Sequence, residues 1–62
     1  MKGQQLVVRA REELIAGKLG AANRSAWEAV QAAMIAQDET TVREAQTIAR
    51  DVADLAEGST RD

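Results

Sequence analysis

Nearly half of the apolar side chains in this 62-residue chain are single methyl groups: alanine fills 13 of its 28 apolar positions. Alanine is the strongest helix former and is depleted in strands, so alanine-rich stretches uninterrupted by proline point to helices along the whole length. Helices faced with methyl groups also let neighbouring backbones come close. The expected fold class is therefore all-α.

Punctuation divides the chain into three helices within a single domain over 1–62. The spacing predicts helices over 4–16, 22–37 and 39–57, with a flexible tail at 58–62. Gly17-Lys18-Leu19-Gly20 is the strongest break because two glycines stand close together. Ser25-Ala26-Trp27-Glu28 has the form of a capping box and offers a later start for the second helix. Asp38 is a candidate N-cap for the third, with Thr41-Val42-Arg43-Glu44 as a competing box, and Gly58 is a natural stop.

Apart from Met1, only fourteen side chains are large and apolar. So small a chain buries a modest share of its surface, and without cysteine it has no disulfide to add stability. Packing in an oligomer or on a partner is the expected remedy, for a small three-helix domain built as an antiparallel αα-hairpin plus a third helix.

The three helices differ in how much of their circumference is apolar. On the third, Val42, Ala45, Ala49, Val52 and Ala56, flanked by Ile48 and Leu55, make one face opposite Arg43, Thr47, Arg50, Asp51 and Asp54. The first carries Leu6, Val7, Ala10 and Leu14 on one side, with Val8, Ile15 and Leu19 as a second stripe. On the second, Trp27, Val30 and Met34 form a ridge beside an alanine groove of Ala26, Ala29, Ala33 and Ala36, with Ile35 on the far side. Three apolar surfaces exceed what one small core covers, so Val8, Ile15, Ile35 and Trp27 are the candidate partner-binding residues. For Trp27 the competing role is core anchor, the usual one for a lone tryptophan in so small a domain.

Chemistry has few footholds. The chain lacks histidine, cysteine and tyrosine, the side chains behind most acid–base, nucleophilic and metal chemistry near neutral pH. Glu12 and Glu13 diverge by about 100° on a helix, and Asp51 with Asp54 share a solvated face. No catalytic residue, cofactor or metal is expected, and the chain is read as a non-enzyme. Arg43 and Arg50 have carboxylates four residues away, Glu39 and Asp54, which marks them as surface ion pairs.

Eight basic and ten acidic residues are interspersed, for a net charge of −2, so no basic stripe marks a nucleic-acid binder. A helix-turn-helix reader led by Asn23 and Arg24 would place an alanine-rich helix against base edges, which it has few groups to read. No apolar run approaches a membrane span, and the opening residues lack the core of a secretory signal. A cytoplasmic location is the expectation.

Gly17, Leu19, Ala22, Ala29 and Val30, with Ala10 at a small position in the first helix, resemble the second half of a tetratricopeptide repeat followed by a capping helix. The resemblance implies antiparallel αα-hairpin geometry and, since one unit with a cap falls short of a stable array, self-association or a partner. Arg9 and Glu13 depart from the pattern, falling where that family carries large apolar residues, and no proline closes the second helix. The functional expectation is a small adaptor or regulatory module acting by helix-face docking or homo-oligomerisation. The alternative is a small DNA-binding regulator, of the antitoxin or phage-repressor kind.

Overall fold

The structure, a computed structural model, describes residues 2–60. Three helices account for nearly all of them: α1 (Lys2–Ile15), α2 (Leu19–Ile35) and α3 (Glu39–Thr60). Each packs on the other two, so the all-α three-helix architecture expected of the chain is the one it adopts.

The two links are one motif used twice. After α1, the Gly17 N–H donates to the Leu14 carbonyl at 3.0 Å and the Lys18 N–H to that of Glu13 at 2.9 Å, with Gly17 at φ +81°. After α2, the Gln37 N–H donates to the Met34 carbonyl at 3.1 Å and the Asp38 N–H to that of Ala33 at 2.8 Å, with Gln37 at φ +56°. Both are Schellman closures, in which one left-handed residue lets the last carbonyls find donors. They follow Leu14-Ile15-Ala16 and Met34-Ile35-Ala36, which stand 20 positions apart.

Each closure hands the chain straight to the next helix, and this moves two expected boundaries. Gly17 alone stops α1, and Gly20 lies inside α2, which begins at Leu19 rather than at Ala22 or Ser25. Ser25 is therefore not a cap. The third helix does start where Asp38 predicts: its carboxylate accepts the Thr41 N–H at 3.2 Å and the Thr41 hydroxyl at 2.5 Å, so Thr41 is the residue capped. Lys18, in the equivalent place before α2, makes no such side-chain bond. Gly58 does not end α3, which continues to Thr60 because glycine within a helix is costly but tolerated. Of the tail expected over 58–62, positions 61 and 62 lie outside the described residues.

Gly3 shows how the helices are arranged. A Cβ placed on it would sit 3.3 Å from Thr41 Cγ2 and 3.8 Å from Ala33 Cβ, so the start of α1 meets the end of α2 and the start of α3. Hence α1 and α2 run antiparallel, and α1 and α3 run parallel. At 1.5 Å per residue, α3 reaches about 33 Å and α1 about 21 Å, so the far end of α3 extends past α1.

Alanine fills the contact zone. Ala10, Ala22, Ala26, Ala29 and Ala45 are fully buried, joined by Val7, Val30, Ala33, Ile48, Ala49 and Val52. Leu6, Leu14, Leu19 and Val42 pack around this layer, half-buried, so Leu19 joins the core rather than the outer stripe of Val8 and Ile15. Because methyl groups occupy the centre, the helices close on one another with little room for bulkier side chains.

Candidate functional site

The bulky side chains displaced from an alanine core stand on the surface. Ile15 and Ile35 are 81% and 86% exposed, Met34 is 63% exposed, and Val8 and Trp27 are each 52% exposed. All four candidate partner-binding residues are thus accessible. Trp27 does not anchor the core.

The reason lies in the periodicity of α2. Val30 is about 60° round the helix from Trp27, on the side toward Ala26 and Ala33, and is buried with them. Trp27 and Met34, seven positions apart, share the outward stripe. The expected ridge of Trp27, Val30 and Met34 therefore splits. Met34 was legible as part of that ridge but not as a surface residue.

The candidates do not form one surface. Val8 and Ile15 lie roughly 100–130° round α1 from its inward row of buried Val7 and Ala10 and half-buried Leu14. Ile15 ends α1 and Ile35 ends α2, and because these helices are antiparallel the two isoleucines mark opposite ends of the molecule. Trp27 and Ile35 share the outward side of α2, at i and i+8, with Gln31 midway and exposed. Beside that row, Met34, Val42, Arg43 and Gln46 line a shallow depression between α2 and α3 with Ala33, Gln37, Asp38 and Glu39.

A polar contact joins α1 to α2. The Ser25 hydroxyl, buried on α2, donates to Glu13 Oε1 at 2.6 Å, and Arg9 Nε lies 3.9 Å from Glu13 Oε2 on the same helix α1. Arg9 and Glu13 are the residues that depart from the tetratricopeptide pattern in the first helix, and Ser25 is the hydrogen-bond partner of Glu13. The hydroxyl thereby fastens α2 to α1 through the carboxylate. Asp38 and Thr41 fasten the other end: the Thr41 hydroxyl, and then its N–H, hold the Asp38 carboxyl below the usual aspartate range.

The i,i+4 ion pairs expected of Glu39 with Arg43 and of Arg50 with Asp54 are not formed, whereas Arg9 and Glu13, also four apart, lie within pairing distance. Exposed flexible side chains gain little by pairing in water, whereas Glu13 is held in place by Ser25. Arg24 is exposed and makes no ion pair among the described residues. Among those residues no three carboxylates gather as a metal site would need, and no helix is long and apolar enough to cross a membrane.

Compared with protein-family models, curated proteins and solved structures, the chain matches none. The tetratricopeptide resemblance accordingly describes a way of packing helices.

Proposed function

We propose that this chain is a non-enzymatic protein–protein interaction module, an adaptor or regulator that docks through exposed helix faces. One observation carries the reading: alanines fill the interior while Trp27, Met34, Ile35, Val8 and Ile15 stand in solvent. Burying such a side chain yields about 1.5–3 kcal/mol when it is fully covered, so a complementary protein surface gains what the folded monomer leaves unused. Tryptophan is also enriched among the few residues that dominate interfaces. A cytoplasmic setting suits a chain without cysteine.

The test is photocrosslinking in the cells that make the protein, with a benzophenone amino acid placed in turn at positions 8, 15, 27 and 35. Discrete protein adducts from at least one position are expected. Absence of adducts from all four, with the variants folded and expressed, refutes the reading. A gel shift on random duplex DNA, weakening steeply as salt rises, would instead select the DNA-binding alternative.

A further inference from the structure

We draw no further inference here: the strongest candidate, the exposed face of α2 that carries Trp27, Gln31 and Ile35 beside the depression between α2 and α3, carries nothing further because nothing in the structure shows what covers it, and Asp38 and Glu39 line that depression together with Arg43, so its charge selects no partner.

Discussion

Ser25 Oγ donates to Glu13 Oε1 at 2.6 Å across the α1–α2 interface, joining a buried hydroxyl to a carboxylate whose side chain is 19% exposed. A hydrogen bond to a charged group contributes roughly 1.5–3 kcal/mol, and losing one partner leaves the other poorly solvated. Ser25→Ala should therefore destabilise the fold by about 1 kcal/mol, after its better helix propensity offsets part of the loss. Glu13→Leu with Ser25→Ala removes both polar groups and should recover most of that. Urea unfolding of the two singles and the double measures the coupling; strictly additive effects would show that the contact contributes nothing of its own.

The two Schellman closures differ at their left-handed residue, Gly17 in one and Gln37 in the other. A side chain there costs about 1–2 kcal/mol, and glycine's greater freedom when unfolded returns part of it. Gln37→Gly should accordingly stabilise by about 0.5–1 kcal/mol, and Gly17→Ala should cost a similar amount. Thermal unfolding should move by a few degrees in opposite directions; movement in the same direction would contradict the assignment of the turns.

Asp38 caps Thr41, and its carboxyl is held below the usual aspartate range by that hydroxyl and N–H. A lowered folded-state value means that the charged form favours folding. Its contribution is complete above the unfolded value and fades as pH falls through the folded one. Asp38→Ala should lower the melting temperature at neutral pH, and the gap from the native chain should narrow below about pH 4. Asp38→Asn keeps a capping oxygen and should lose less. A gap that stays constant down to pH 2 would detach the cap from its charge.

Ala26 is fully buried on α2, between the methyl groups that allow close helix approach. Ala26→Leu adds three carbons with nowhere to go and should cost roughly 1–3 kcal/mol. Equilibrium unfolding at a concentration where the native chain is monomeric measures it. A neutral result would mean that the core has unfilled space.

Much of this was legible locally. Three helices, the stop at Gly17, the cap at Asp38 and the burial of Val7, Ala10, Ala29, Ala45 and Val52 follow from the 3.6-residue period and from the chemistry of ends and turns. The exposure of Val8, Ile15 and Ile35 was legible too, because each lies off the main apolar stripe of its helix. Ser25 misled, since a capping-box spacing also occurs inside helices, where the hydroxyl is free to find another partner.

The alanine-rich composition alone determined that the chain is helical and closely packed, because propensity and periodicity act within a turn or two of each residue. Which of two neighbouring stripes on α2 turns inward was decided only in three dimensions. Val30 and Trp27 are three residues apart and both count as apolar, and the positions of α1 and α3 buried the smaller and left the larger half in water. The pairing of Ser25 with Glu13 was settled the same way: twelve residues separate them in the chain, and only the antiparallel packing of α1 on α2 brings them within 2.6 Å.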